Sequence, residues 1–507
     1  LLHLKLIIMK KLLTILTLSA VFTGCSKQLE KYPQGKLTGD NVFTQPNDFL
    51  MATDAAYLPL TNRFRGDWDW DNGSSIPRDW VVGDVMSDDA VKGGGSLGDQ
   101  EDMRRLQTFS IFPENNNVLG IWRFNYKGID AANTLLSQNG SKVSGLDPAV
   151  WKRLQGEALF LRAFYYFRLV VNFGDIPLLI PEKKLTDNTI RTPAAQVYEQ
   201  IESDLNQAIT VLPASYDADN YQRATSGAAH ALLAKTLLYR QRWQDCLTQI
   251  AEVEKNNYIL LDHFEDNFNG NGEKAGEIIF AARHDAGKTP SQGSVLNAVF
   301  APQGKGWGFE IPTQDLVNAF EPGDPRRAAT LFQAGDKYLD GSNYDPAWSP
   351  VTGYNVRKFM SNVSPIDDGG VDFVYIRLGD VLLWKAECHA NLGQLAEART
   401  DLERVRARAR KYAAHPATDL PPVTTNDKNT LLAAIQHERR VELAMEGHRY
   451  YDLVRWNLAQ SVLAKFPDAD PLKGIHDYGN GWQPFNKLLP IPQREADLLG
   501  LHQNTGY

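Results

Sequence analysis

Cysteine is scarce in this chain: three among 507 residues, at positions 25, 246 and 388. That scarcity excludes a disulfide-stapled scaffold, and no two cysteines stand at the close spacing of a zinc site. An excess of positive charge is missing as well. Lys and Arg number 53 against 61 Asp and Glu, for a net charge of −8. This balance argues against nucleic acid or an anionic membrane surface as the main partner. Past the first 24 residues no apolar run approaches the roughly 20 residues that cross a bilayer.

Catalytic signatures are thin. His437-Glu438-Arg439-Arg440 lacks the second histidine of a helical zinc site. A Gly-x-Ser-x-Gly elbow and a phosphate-cradling glycine loop are both absent. Asp266-Asn267-Phe268-Asn269-Gly270-Asn271-Gly272-Glu273 has oxygen donors but not the spacing of a calcium loop, and reads as a turn. No enzyme, metal or cofactor is expected. Adjacent acids such as Asp88-Asp89 cap, pair with arginine or hydrogen-bond a ligand. Glu438, Glu442 and Glu446, at i, i+4, i+8 with arginines around the same helix, read as a solvated face or an ion network. Cys246 and Cys388 lie on apolar helical faces and read as buried thiols; export to an oxidising space leaves a disulfide open.

What is present begins at Met9. A cationic Met-Lys-Lys precedes a short apolar run from Leu12 to Phe22, and Thr23-Gly24 lead into Cys25. This is the pattern of a secretory signal of the bacterial lipoprotein kind, with Cys25 as the lipidated first residue of the mature chain. Residues 1–8 read as an over-extended start. Phe22 stands where such signals usually carry leucine. Residues 25–40 are polar and read as a flexible tether, followed by a single domain over residues 41–507.

Within that domain helical periodicity begins near Pro46. Two paired blocks follow, Ser226 to Glu254 and Arg377 to Arg410. Shifted by 152 positions they superpose, with Ala234 on Ala386, Trp243 on Leu395, Cys246 on Ala398 and Ile250 on Leu402. Such recurrence is the logic of tetratricopeptide-type helix pairs. Trp151 to Phe173 and Asn429 to Trp456 read as further long helices. A short strand is expected at residues 277–282 and a short helix at about 313–320. The fold is thus mainly α, with two loop-rich regions at about 63–114 and 261–375 that read as companions. Trp68, Trp70 and Trp80 fall in the first; Trp307 and Trp348 fall in the second. Tryptophans among Asp, Asn and Arg suit a sugar, whose C–H face stacks on a ring while its hydroxyls meet polar side chains.

Several stretches carry a family resemblance. They include Asp54-Ala55-Ala56-Tyr57, Gly156-Glu157-Ala158-Leu159-Phe160-Leu161-Arg162-Ala163-Phe164-Tyr165-Tyr166-Phe167 and Phe320-Glu321-Pro322-Gly323-Asp324-Pro325-Arg326. Glu438 to Trp456, Leu489-Pro490-Ile491-Pro492 and the closing Gln503-Asn504-Thr505-Gly506-Tyr507 complete the set. In this order the chain resembles the SusD/RagB family of Bacteroidetes outer-membrane lipoproteins. The resemblance implies a fold in which four tetratricopeptide-like units support a loop-rich face. It implies a surface-exposed, lipid-anchored binding protein that captures glycans, or peptides, for a SusC-like TonB-dependent transporter and does not hydrolyse them. A scaffold that binds only other proteins is the further alternative. By region the resemblance points to Trp68, Trp70, Trp80 and Trp307 as ligand-binding, and Asp88 and Asp89 join them as candidate hydrogen-bonding partners. Pro312-Thr313-Gln314-Asp315-Leu316 follows Trp307 as the helix start that borders this region.

Overall fold

The computed structural model describes residues 43–61, 78–96, 98–183, 189–218, 220–271, 276–464 and 481–507. The leading segment with Cys25, the tether, Trp68, Trp70 and Glu273 lie outside the described residues. Helices α1 (Pro46–Tyr57), α2 (Asn116–Leu136), α3 (Pro148–Phe173) and α4 (Ala194–Ile209) form the first half of the body. Helices α5 (Ser226–Tyr239) and α6 (Trp243–Glu254) are one hairpin; α7 (Leu378–Asn391) and α8 (Leu395–Lys411) are another. Helices α9 (Lys428–Leu443) and α10 (Arg449–Arg455) follow.

Local chemistry sets these boundaries. Asp147 caps α3 by accepting from Ala149 N and Val150 N, with Pro148 at the first helical position. Thr225 caps α5 and Asp427 caps α9 in the same way. The 152-residue shift holds in three dimensions: Ala234, Ala386, Cys246, Ala398, Ile250 and Leu402 are all buried. Small side chains let the paired helices approach, and the larger apolar ones fill the seam between them. Cys246 and Cys388 are unbridged buried thiols.

Strands are few and short. They pair as three antiparallel two-stranded sheets: β1 (Ala90–Lys92) with β3 (Glu310–Pro312), β2 (Ile278–Ala282) with β6 (Phe373–Arg377), and β4 (Leu331–Phe332) with β5 (Asn355–Val356). β2 and β6 lie against α3, where Phe160, Phe164, Phe280 and Tyr375 meet edge-on at 4.8–5.4 Å.

The structure corrects one expected helix. The stretch from Asn429 to Trp456 breaks between α9 and α10, where Met445 and Gly447 take positive φ of 63° and 79°. A Cβ on Gly83 would lie 2.1 Å from the Gly447 carbonyl, so the break lets two backbone segments touch. The buried Lys358 ammonium donates to the freed carbonyls of Glu442 and Ala444 at 3.2 and 2.9 Å.

Glu438, Glu442 and Glu446 belong to a buried ion network. Arg326 reaches Glu438 at 2.6 Å and Glu442 at 3.1 Å. Arg377 reaches Glu442 at 2.6 Å and Glu446 at 2.8 Å, and Arg408 also pairs with Glu442. Burial opposes charge on Glu442, but Arg408, Arg377 and Arg326 outweigh it and hold its carboxyl well below the usual range.

Candidate functional site: the loop-bearing face

The two loop-rich regions are stitched together. β1 from the first pairs with β3 from the second, placing Val91 opposite Ile311. Beyond the strands Gly93 N donates to Phe309 O at 3.0 Å, and Gly94 N donates to Gly308 O at 2.8 Å. A Cβ on Gly93 would sit 1.8 Å from the Gly308 carbonyl, so only glycine admits this approach. Gln303 Nε2 adds a bond to Gly94 O. The glycine run of residues 93–95 is therefore the shelf against which the loop bearing Trp307 is built.

Asp88 and Asp89 fix that shelf to the helices. Arg449 grips Asp88 with two bonds at 2.8 and 2.9 Å. Arg440 reaches Asp88 at 3.0 Å, Asp89 at 2.7 Å and Asp315 at 2.7 Å. Both aspartates are buried. Desolvation opposes ionisation of Asp88, yet Arg440 and Arg449 prevail and hold its carboxyl well below normal. This corrects the sequence expectation: these acids are committed to arginine and present no face to a ligand. Trp80 is corrected likewise. It is 2 % exposed and packs edge-on against Phe300 at 5.6 Å, a core ring.

Trp307 keeps its place among the candidates. It is half-buried and edge-on to Phe309 at 6.5 Å, and its backbone N–H donates to Ala298 O at 2.8 Å. Trp348, also half-buried, meets Tyr338 at 5.7 Å and Tyr344 at 5.6 Å. The Lys305 ammonium lies 4.8 Å from the Trp348 ring and is anchored to Asp340 at 2.6 Å. One face of Trp348 is thereby occupied.

Sequence reasoning missed a second feature of this face. Asp54, Tyr57, Leu60, Thr61, Asn220, Gln222, Arg223 and Arg283 line an open cleft of about 210 Å³, beside the point where the first loop region leaves α1. Tyr57 Oη donates to Glu157 at 2.9 Å, and Arg223 bridges Glu157 and Asp54 at 3.0 and 2.6 Å. Arg283 lies over the Tyr221 ring at 5.1 Å. Asp372 accepts from Gln222 at 2.6 Å and from His284 N at 2.7 Å. The walls thus combine ring faces with fixed donors and acceptors, the mixture a small polar ligand requires. Asn220-Tyr221-Gln222-Arg223, polar and aromatic immediately before the Thr225 cap, was the sequence signal available for it.

Comparison with known proteins places the chain. Residues 276–507 match the family model described as "SusD family", and residues 95–238 match one described as "Starch-binding associating with outer membrane". The chain belongs to the SusD/RagB family. SusD-like protein P25 of Formosa agariphila is 25% identical, with 94% of each chain covered. A solved "Laminarin binding SusD-like protein" is 28% identical with a TM-score of 0.74, covering 92% of this chain and 100% of that one. Surface glycan-binding protein A of Bacteroides thetaiotaomicron, solved with laminarihexaose, is 26% identical with a TM-score of 0.74, covering 91% and 100%. The mainly helical architecture with a few short strands is that of SusD-like proteins. No helix among the described residues is long and apolar enough to cross a membrane, and none of their acidic, histidine and cysteine side chains group as a metal-ligand set.

One buried acid pair in this SusD/RagB chain brings its loop regions together, Asp84 from the first and Glu310 from the second. Asp84 accepts from Gly447 N at 2.7 Å, and the buried Glu310 carboxyl at the start of β3 interacts with it electrostatically. Burial, then the charge of Asp89, pushes Asp84 up to about 8; burial and Asp84 push Glu310 up as well. The folded state therefore keeps a proton that the unfolded chain releases near pH 4. Its stabilisation is complete below that pH and is lost as pH rises toward about 8, by at most about 1.4 kcal/mol per pH unit. His448, lowered to about 4, acts mainly below about pH 6.5, and Lys358, lowered by burial to about 8, also titrates toward pH 8, so the acid pair is read from the difference between the wild type and Asp84→Asn. Asp84→Asn should flatten the decline of the urea midpoint from about pH 6.5 to 8. An unchanged slope would remove the retained proton from the account.

Proposed function

We propose that this protein captures glycans at the bacterial surface and delivers them to a SusC-like TonB-dependent transporter, without cleaving them. The observation that carries the reading is similarity over nine-tenths of the chain to solved proteins that bind laminarin and laminarihexaose. The loop-bearing face supports it with the half-buried Trp307 ring and the cleft around Tyr57, Arg223 and Arg283. Capture without turnover fits the buried acids: Asp88 and Asp89, the adjacent pair closest to a catalytic arrangement, are held by arginines. The ligand must also leave, so stacking plus a few hydrogen bonds, giving weak to moderate affinity, suits hand-off. Trp68 and Trp70, by region, are assigned to the same ligand surface.

Affinity electrophoresis of the soluble form beginning after Cys25, through gels containing laminarin, starch, xylan, mannan or galactan, tests capture. Retardation by at least one polysaccharide is expected; free migration in all, with retention on a protein digest, would favour the peptide reading. Lipid attachment at Cys25 has its own test. Several acyl chains hold a protein firmly where one binds marginally, and the tether over residues 25–40 lets the body reach a transporter at high local concentration. Cys25→Ala should leave glycan affinity in solution unchanged and strip the protein from the outer-membrane fraction. Full retention of the variant there would remove Cys25 as the anchor.

A further inference from the structure

A partly open cavity of about 60 Å³ lies between α3, α5 and the Gly447-His448 turn that precedes α10. It shares no lining residue with the cleft at Arg283. Its polar walls carry the cations Lys235 and Arg168 beside the carboxylates of Asp79 and Glu446. Lys235 on α5 extends into it with its ammonium 6.0 Å from the Phe167 ring and 5.8 Å from the Trp384 ring. Among the described residues that ammonium has no hydrogen-bond acceptor and no ion-pair partner. Arg168 on α3 is 93 % buried, consistent with its 7 % exposure. Its Nη2 pairs with Asp79, but Nε and Nη1 have no acceptor. The guanidinium rests over the Phe164 and Tyr375 rings at 5.7 and 5.8 Å. His448 and Tyr239 also line the cavity.

The acids nearby are already engaged. Asp79 serves Arg168, and Glu446 is bound by Lys358 at 2.7 Å and by Arg377 at 2.8 Å. Asp380 and Asp452, the carboxylates nearest in charge to Lys235, are paired with Arg439. Buried guanidinium N–H groups left unpaired are costly, and the half-buried Lys235 ammonium faces the same cavity without a protein acceptor. A ligand that only accepts hydrogen bonds and carries one negative charge answers all of these groups at once. The volume accommodates one small ion together with a few waters, since a single water needs ~10–15 Å³ of such space.

We propose that this cavity binds a small monovalent anion, of halide to formate size, held by Lys235 Nζ and by Nε and Nη1 of Arg168. The ion sits where the helix pairs meet the turn that carries Arg449 to Asp88, so its binding tightens the joint between helical body and loop-bearing face.

Two measurements test this on the soluble protein. Crystals of the wild type soaked in bromide should show an anomalous peak between Lys235 and Arg168; water alone in the cavity at 0.5 M bromide, a concentration on the order of that used for such soaks, overturns the proposal. In solution, the thermal midpoint should be higher in chloride or formate than in gluconate at matched ionic strength, because only an ion that binds the native state stabilises it. Lys235→Met, which keeps the stem and removes the charge, should abolish that difference. An equal midpoint in chloride and gluconate for the wild type, or an undiminished difference in the variant, refutes the assignment.

Discussion

Glu442→Ala is expected to cost about 3–5 kcal/mol of folding free energy, the penalty for leaving buried charges without a partner. Glu442 is fully buried and meets Arg326 at 3.1 Å, Arg377 at 2.6 Å and Arg408. Its removal takes one carboxylate partner from each of three buried guanidinium groups in a low-dielectric interior. Arg377 retains Glu446 and Arg326 retains Asp324 and Glu438, so the network does not dissolve; Arg408 keeps only Glu277, at 3.2 Å. Urea unfolding followed by tryptophan fluorescence reads the loss. The exposed pair Lys255–Glu252 provides the contrast, because solvent screening leaves such a pair worth little. If Glu442→Ala and Glu252→Ala shift the urea midpoint equally, the network does not hold the body.

Arg440→Ala is expected to cost about 3 kcal/mol and to loosen the loop-bearing face. One guanidinium on α9 joins Asp88 and Asp89 from the first loop region to Asp315 from the short helix after β3. Without it Asp89 keeps no cationic partner, and Asp88 keeps Arg449. Amide exchange should rise across residues 86–96 and 308–316 while α3 and α7 stay protected, since local opening follows the contacts that were lost. Uniform exchange across body and face would show that Arg440 supports the whole fold and not this junction.

These two arginine contacts also mark where sequence reading stops. The hairpins α5–α6 and α7–α8 were legible, because apolar period and a 152-residue recurrence are local signals. β2 and the helix at Gln314–Ala319 were legible for the same reason, from a β-rich run and from the Thr313 cap. The partners of Asp88 were not: Arg449 is 361 positions away, and nothing near residue 88 announces it. Trp80 and Trp307 look alike in sequence, each a tryptophan among polar neighbours. Only the fold sends one against Phe300 and leaves the other half-buried at the loop edge. The break between α9 and α10 was hidden because its cause, the approach of Gly83 to Gly447, lies in tertiary packing. The cleft draws on α1, on the approach to α5 and on the end of β2, so no single stretch carries its pattern.

Glycan capture by the loop-bearing face is the central claim, and calorimetric titration tests it most directly. The soluble wild type and Trp307→Ala are titrated with laminarihexaose, maltohexaose, xylohexaose, mannohexaose and galactan-derived oligosaccharides. An aromatic anchor at the centre of a binding surface contributes about 2 kcal/mol or more. The account therefore predicts saturable binding of at least one oligosaccharide by the wild type, and an affinity about 30-fold weaker in Trp307→Ala. No heat from any oligosaccharide would contradict glycan capture, and equal affinity in the two proteins would contradict the role of Trp307.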